Sequence, residues 1–123
     1  MIRGVRGATT VEFNDAEQII TRSFELMTEL VRENNISPEE VVSVYFSATE
    51  DIDAAFPAKS LRRLQGWTYV PVMCMREINV PGSLSKCIRV MVTVETDIKQ
   101  QDIVHVYHYD AEKLRPDLKS GKE

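Results

Sequence analysis

The chain has 123 residues, a length typical of one domain whose core needs no disulfide bridges. Its formal net charge of −4 argues against general binding to nucleic acids or to anionic membranes, because both carry negative charge. The two cysteines lack metal-site spacing, no apolar run is long enough to cross a membrane, and the first residues contain no signal-peptide core. These features predict a cytoplasmic protein with reduced thiols.

The first half of the chain predicts a strand, a long helix and a second strand. Residues 2–10 are strand-like but contain Gly4 and Gly7, and a glycine inside a strand often marks the close approach of another element. Residues 15–34 carry apolar side chains at helical spacing. This helical repeat consists of Ile20, Phe24, Met27 and Val31. Residues 41–49 alternate and predict a half-buried strand. Its apolar face consists of Val42, Val44, Phe46 and Ala48.

The second half predicts another helix and three more strands. The helix covers residues 54–64, and the strands cover residues 69–78, 86–96 and 103–109. The order β-α-β-α-β-β-β indicates an α/β or α+β fold with helices on one face of a mixed sheet. In so small a chain, a partner subunit is a reasonable cover for the other face. We expect one domain over residues 1–118, followed by a charged tail, 119–123, that is frayed.

Arg89 is the most informative residue, because it lies within a sequence that otherwise predicts a buried strand. A guanidinium does not lose its proton and is costly to bury without a partner. The partner could be a carboxylate of the chain, such as Glu77 or Glu95. It could also be the carboxylate or phosphate of a ligand, which arginine recognises with its planar fork. The residues alone leave both alternatives open.

The other candidate residues also have ordinary structural explanations. Arg62 and Arg115 could be solvated surface charges, and Arg6 could form an ion pair at a strand edge. Tyr107 could be a core residue with a bonded hydroxyl. Cys74 has no visible base beside it and is expected to be an inert packing residue. The chain contains no glycine-rich phosphate loop, nucleophile elbow or metal motif. Composition and spacing therefore predict a small α/β domain with a candidate anion pocket.

Short motifs along the chain are more specific than its composition. They are Ile2-Arg3-Gly4-Val5-Arg6-Gly7-Ala8-Thr9-Thr10, Ser47-Ala48-Thr49, Phe56-Pro57-Ala58-Lys59, Gly66-Trp67, Tyr69-Val70-Pro71-Val72, Cys87-Ile88-Arg89-Val90-Met91 and Leu114-Arg115-Pro116-Asp117. In this order, from Met1 to about Leu118, they closely resemble the monofunctional chorismate mutases of the Bacillus type, the AroH class.

This resemblance implies a fold, an assembly and a reaction. Members of the family form homotrimers in which three sheets surround a pseudo-α/β-barrel and the active sites lie at subunit interfaces. The implied reaction is the Claisen rearrangement of chorismate to prephenate, a step towards phenylalanine and tyrosine. It needs no cofactor and no metal. Because the rearrangement is unimolecular, a missing nucleophile or general base is expected.

The resemblance also implies a role for individual residues. Arg89 would lie beside the ether oxygen, which becomes partly negative as the C–O bond breaks. Glu77 would accept the ring hydroxyl of the substrate, and Arg6 and Tyr107 would hold its side-chain carboxylate. The other residues implied to line the pocket are Met73, Cys74, Phe56, Ala58, Lys59, Arg62, Leu114 and Arg115.

The resemblance implies that some of these residues come from a second subunit and others from the C-terminal tail. Phe56, Ala58, Lys59 and Arg62 would come from the neighbouring subunit. Leu114 and Arg115 would lie on a tail that orders over bound ligand.

Two departures from the family pattern concern the same strand. Met73 occupies a position where the family often has threonine, so a hydroxyl contact is absent there. Strict alternation would place Cys74 and Glu77 on opposite faces, and both could line one pocket only if the strand bends or ends between them.

Two other hypotheses deserve comparison with the mutase. One is a trimeric, non-enzymatic sensor that binds a small carboxylate in the same interfacial pocket. A sensor would bind chorismate or prephenate without turnover and would not need a contact to the ether oxygen. The other is a trimeric enamine or imine deaminase, whose own motifs are not evident in this sequence.

Overall fold

A computed structural model describes residues 1–114; Arg115 and the predicted tail of residues 119–123 lie outside the described residues. The strands are β1 (Ile2–Thr10), β2 (Val41–Ala48), β3 (Val72–Arg76), β4 (Cys87–Glu95) and β5 (Val106–Tyr107), and the α-helix is α1 (Ala16–Glu33). Short 3₁₀ helices span Pro38–Glu40, Pro57–Arg63, Gln100–Asp102 and Tyr109–Lys113. None of the helices within residues 1–114 combines the length and the apolar character that a bilayer-spanning helix requires.

The five strands form one mixed sheet in the order β3-β2-β4-β1-β5. The central strand β4 is antiparallel to both β1 and β2, whereas the edge strands β3 and β5 are parallel to their neighbours. This confirms the predicted mixed sheet and the order of its elements. The second helix differs from the prediction, because residues 57–63 form a 3₁₀ helix instead of an α-helix over 54–64. Phe56 is extended, as the residue before a proline usually is, so the helix begins only at Pro57.

The pleat of β4 sends alternate side chains to opposite faces of the sheet. Ile88, Val90 and Val92 are buried on the face that α1 covers. Arg89 and Met91 lie on the other face, where the Arg89 side chain is 47% exposed. Within one chain, the predicted buried strand is therefore buried on one face only, and Arg89 lies outside the core. This second side of the sheet, the open face, includes Tyr45, Ser47, Met73, Met75, Arg89 and Met91.

A β-bulge changes the predicted facing at the start of β2. The pairing of β2 with β4 shifts register between Val41 and Ser43. The extra residue, Val42, is 49% exposed, so its predicted place on the buried face was wrong. From Val44 onwards the predicted alternation is correct, and Phe46 is fully buried.

Helix α1 packs its apolar side against β1. The Asp15 side chain caps the helix by accepting a hydrogen bond of 3.0 Å from the Gln18 backbone N–H. The buried face of the helix differs from the predicted one by about one residue. Of the predicted apolar residues, Ile20, Phe24 and Val31 are only partly buried. The fully buried apolar residues of α1 are Ile19, Leu26, Met27 and Leu30.

The displacement has a cause in β1, where Gly7 leaves room for the helix. A Cβ on Gly7 would lie 3.1 Å from a Leu30 methyl carbon, 3.2 Å from one of Leu26 and 3.2 Å from the Val106 carbonyl oxygen. This confirms that a glycine in the strand marks a close approach. The contact selects which of two adjacent helical stripes becomes buried.

We predict that Gly7→Ala lowers the free energy of unfolding by about 1–3 kcal/mol, because the added methyl overpacks a site bounded by a backbone oxygen. Gly4→Ala is the matched control in the same strand, since its Cβ would meet only the flexible Met91 Sδ, at 3.2 Å. Urea unfolding of both variants would measure the difference. Equal destabilisation by the two substitutions would contradict the close-approach explanation.

Candidate active site

Arg89 and Glu77 form a forked ion pair on the open face. The Arg89 Nε lies 2.9 Å from Glu77 Oε2, and Arg89 Nη2 donates to Glu77 Oε1 at 3.4 Å. Of the two carboxylates predicted as partners, the structure selects Glu77, since Glu95 instead pairs with the N-terminal amine at 2.7 Å. The Glu77 side chain is 20% exposed and that of Arg89 is 47% exposed, so a ligand approaching the open face can reach the guanidinium.

Backbone pairing and a serine hold Glu77 in place. Glu77 follows β3 directly, and its backbone N–H donates to the Ala48 carbonyl at 3.0 Å. The Ser47 hydroxyl donates to Glu77 Oε2, and Ser47 lies opposite Arg89 in the pairing of β2 with β4. Ser47 was missed as a site residue. Its outward facing was visible in the alternation of β2, but its position beside Arg89 depends on strand order.

Arg6 and Tyr107 form a second polar pair nearby. Arg6 Nε donates to the Tyr107 hydroxyl at 3.0 Å, which joins β1 to β5. Ala8 separates this pair from the first, because it lies beside Tyr107 on one side and beside Arg89 on the other. Strands β5 and β4 lie on either side of β1, so their backbones are about 10 Å apart. The small Ala8 side chain therefore leaves a gap between two cationic groups.

A small apolar cluster lies over one side of this gap. Ala8, Tyr107 and Ala111 are buried together, and Leu84 and Leu114 pack against them. Leu114 therefore packs against the cluster that contains Tyr107. Met73 lies on the open face with 60% exposure and pairs in register with Tyr45.

The remaining candidates lie on the opposite side of the sheet. Cys74 pairs in register with buried Phe46 and packs against the main core, so it faces away from Arg89. Burial raises the pKa of the Cys74 thiol, and a backbone hydrogen bond from Ala58 partly offsets that rise. A cleft of about 440 Å³ lies beside the 3₁₀ helix Pro57–Arg63. Its lining includes Phe56, Ala58, Lys59, Arg62 and Trp67.

One chain thus carries two separate groups of candidate residues. The open-face group contains Arg89, Glu77, Arg6 and Tyr107, and the cleft group surrounds the 3₁₀ helix Pro57–Arg63. Although β3 ends between Cys74 and Glu77, the two side chains stay on opposite faces. They do not meet within one chain. Among residues 1–114, no group of three or more histidine, cysteine or acidic side chains is placed to hold a metal ion.

Cys87 is the first residue of β4, two positions before Arg89, and it is almost fully buried. Burial raises the pKa of its thiol to about 11; the positive charge of Arg89 lowers it, and the negative charges of Glu77 and Asp51 raise it further. The thiol therefore stays protonated near neutral pH, where it adds no negative charge beside Arg89.

Comparison with known proteins gives consistent results over nearly the whole chain. Residues 2–118 match the family model for chorismate mutase type I. A chorismate mutase AroH of Bacillus subtilis is 52% identical, with 99% of this chain and 96% of the relative covered. A chorismate mutase AroH of Thermus thermophilus is 44% identical, with 99% and 100% covered.

A solved structure, a chorismate mutase from Clostridium thermocellum Cth-682, is similar in fold, with a TM-score of 0.87 and 46% sequence identity. The similarity covers 89% of this chain and 97% of that chain.

We predict that Cys87 makes folding stability fall between pH 9 and about 11, since its thiol ionises near 9.0 when unfolded and near 11 when folded. Below pH 9 both states are protonated and the contribution is fully present. Thermal melts of wild type and Cys87→Ala across this range would isolate the effect from other titrating groups. Parallel loss of stability in both proteins would contradict the raised pKa.

Proposed function

Because this chain belongs to the chorismate mutase type I family, it is an isomerase, and we propose that it rearranges chorismate to prephenate between the two polar pairs of the open face. The product lies on the route to phenylalanine and tyrosine. The observation that carries this proposal is the forked Arg89–Glu77 pair, which faces the Arg6–Tyr107 pair across Ala8. We propose that the enzyme works in the cytoplasm.

The first contribution of the site is to position the substrate. Chorismate carries two carboxylates, and it reacts only from a compact, chair-like conformation. Arg6, with the Tyr107 hydroxyl at 3.0 Å, is placed to hold the side-chain carboxylate. Fixing a flexible molecule in the reactive geometry removes much of the entropic part of the barrier.

The second contribution is electrostatic. As the C–O bond breaks ahead of C–C bond formation, the ether oxygen gains negative charge and the ring gains positive character. Arg89 stabilises the oxygen, and Glu77 accepts the ring hydroxyl and offsets the positive charge. Before the substrate arrives, Glu77 already orients the Arg89 guanidinium, and the Ser47 hydroxyl orients the Glu77 carboxylate. A fixed charge of this kind binds the transition state more tightly than the substrate.

A homotrimer would bring the two separated groups of residues together. The open face carries exposed apolar side chains that a second copy can bury, including Met73, Met75 and Met91. The cleft group, with Lys59 and Arg62, lies on the opposite side of the same chain. We propose that Phe56, Ala58, Lys59, Arg62 and Cys74 of one copy close the pocket around Arg89 of its neighbour. Arg115 would complete the pocket beside Leu114.

The comparisons favour an enzyme over the metabolite sensor, since the relatives at 52% and 44% identity are both named as chorismate mutases. The Arg89–Glu77 fork supports the same choice, because a protein that only binds a carboxylate needs no charge beside the breaking bond.

We predict that Arg89→Lys lowers kcat by about two to three orders of magnitude while KM changes much less, because lysine keeps the charge but loses the planar fork. Turnover is followed by loss of the chorismate diene absorbance. Arg3→Lys is the matched control, since Arg3 is also in the sheet but donates to the Ile98 carbonyl. Near-normal turnover by Arg89→Lys would refute the assigned role, and no wild-type turnover would refute the proposed function.

We predict that two inactive variants complement each other when they are unfolded and refolded together. Arg89→Ala lacks one half of each site, and Lys59→Ala/Arg62→Ala lacks the other. In a randomly mixed trimer with sites shared between neighbours, about a quarter of the sites have both halves intact. Sedimentation would verify the trimer. Activity no higher than the average of the separate variants would contradict a site built from two chains.

A further inference from the structure

The strand that carries Tyr107 is too short to be held firmly by its backbone. Strand β5 contains only Val106 and Tyr107, and its register with β1 consists of two residue pairs. It lies at the edge of the sheet, where such a short element frays easily. The Tyr107 hydroxyl nevertheless accepts a hydrogen bond from Arg6 at 3.0 Å. Side chains on both sides of β5 provide the missing support.

Before β5, the chain is fastened by Asn34 at the end of α1. Asn34 is 3% exposed, and its side-chain amide pairs with both backbone groups of Val104, each at 2.8 Å. The same amide donates to the Leu30 carbonyl at 2.9 Å. Arg6 adds a bond on the other side, since its backbone N–H donates to His105 Nδ1 at 3.0 Å.

After β5, the chain is fastened to α1 by a group of five side chains, which we call the helix latch: Arg22, Glu25, Glu29, His108 and Tyr109. The His108 Nε2 lies 2.7 Å from Glu29 Oε1. The Tyr109 hydroxyl donates to Glu25 at 3.2 Å, and the Arg22 guanidinium lies 3.7 Å above the Tyr109 ring. The partners of the latch therefore span two turns of α1.

The backbone at the latch is also unusual. Tyr109 has a φ of 54°, in the left-handed region that aromatic residues rarely adopt. This turn directs its ring towards α1, while the 3₁₀ helix that begins at Tyr109 brings Ala111 into the cluster with Ala8 and Tyr107. A costly conformation persists where the surrounding contacts enforce it, and here those contacts come from the latch.

We propose that Glu29 and His108 are positioning residues for the reaction, acting through Tyr107. His108 is the next residue after Tyr107, and its backbone N–H continues the pairing with β1 by donating to the Ala8 carbonyl at 2.9 Å. Anchoring the His108 side chain to α1 fixes the end of β5 and so fixes where the Tyr107 hydroxyl meets Arg6. This inference rests on the proposed function, in which that pair holds the substrate carboxylate.

The test compares Glu29→Ala with wild type in the chorismate assay. Glu29→Ala raises KM about three- to ten-fold, the range expected for coupled neighbouring residues, and leaves kcat within about two-fold. Glu29→Gln keeps an acceptor for the His108 N–H and restores most of the lost affinity. Glu33→Gln is the matched control on the same helix, because Glu33 pairs with the exposed Arg32 and its removal leaves KM unchanged.

A second arm separates positioning from general stability. In a Tyr107→Phe background the hydroxyl is already gone, so Glu29→Ala has less than about a two-fold further effect on KM. Hydrogen exchange at the Tyr107 amide, measured without substrate, becomes faster in Glu29→Ala. An unchanged KM in folded Glu29→Ala, or equal effects in both backgrounds, overturns the positioning role but not the mutase. Absence of wild-type turnover overturns both proposals.

Discussion

The pleat of the central strand β4 is the constraint on which the rest of the structure depends. It pairs with β1 and β2 along most of its length, so its alternating side chains define the two faces of the sheet. One set of side chains forms the core beneath α1, and the other set places Arg89 on the open face. Within residues 1–114 there is one α-helix, and it covers only one face of the sheet. The open face is therefore both where the candidate site lies and where a second copy is expected to pack.

The Arg89–Glu77 pair is better suited to orientation than to stability. Half-exposed ion pairs contribute little to folding, because solvent screens their attraction. The fork nevertheless holds the guanidinium plane in one direction, and Ser47 does the same for the carboxylate. The burial that stabilises the fold lies on the other face of β4, so the site can keep charged groups near solvent without weakening the core.

The two edges of the sheet illustrate different ways of holding a site. At one edge, β3 places Glu77 through backbone pairing that continues beyond the strand's end. At the other edge, β5 has too few backbone bonds, and side chains of α1 hold it instead. Under the proposed positioning role, Tyr107 on β5 depends on side chains of α1 that lie outside the proposed site.

The sequence by itself determined most of the element order, the mixed fold class and the candidate site residues, because these follow from local periodicity and from short motifs. Arg89, Glu77, Arg6 and Tyr107 could all be singled out in this way. Periodicity could not show which of two adjacent stripes of α1 is buried, since that depends on the space above Gly7.

Only the tertiary structure decided which side chains meet. Strand order placed Ser47 beside Arg89, and the bulge in β2 turned Val42 outwards. Alternation predicted the opposite facing of Cys74 and Glu77, but only the sheet showed which face each occupies. The latch contacts between His108 and Glu29 join residues 79 positions apart. Such contacts arise from packing between distant segments, and a local pattern carries no information about their partners.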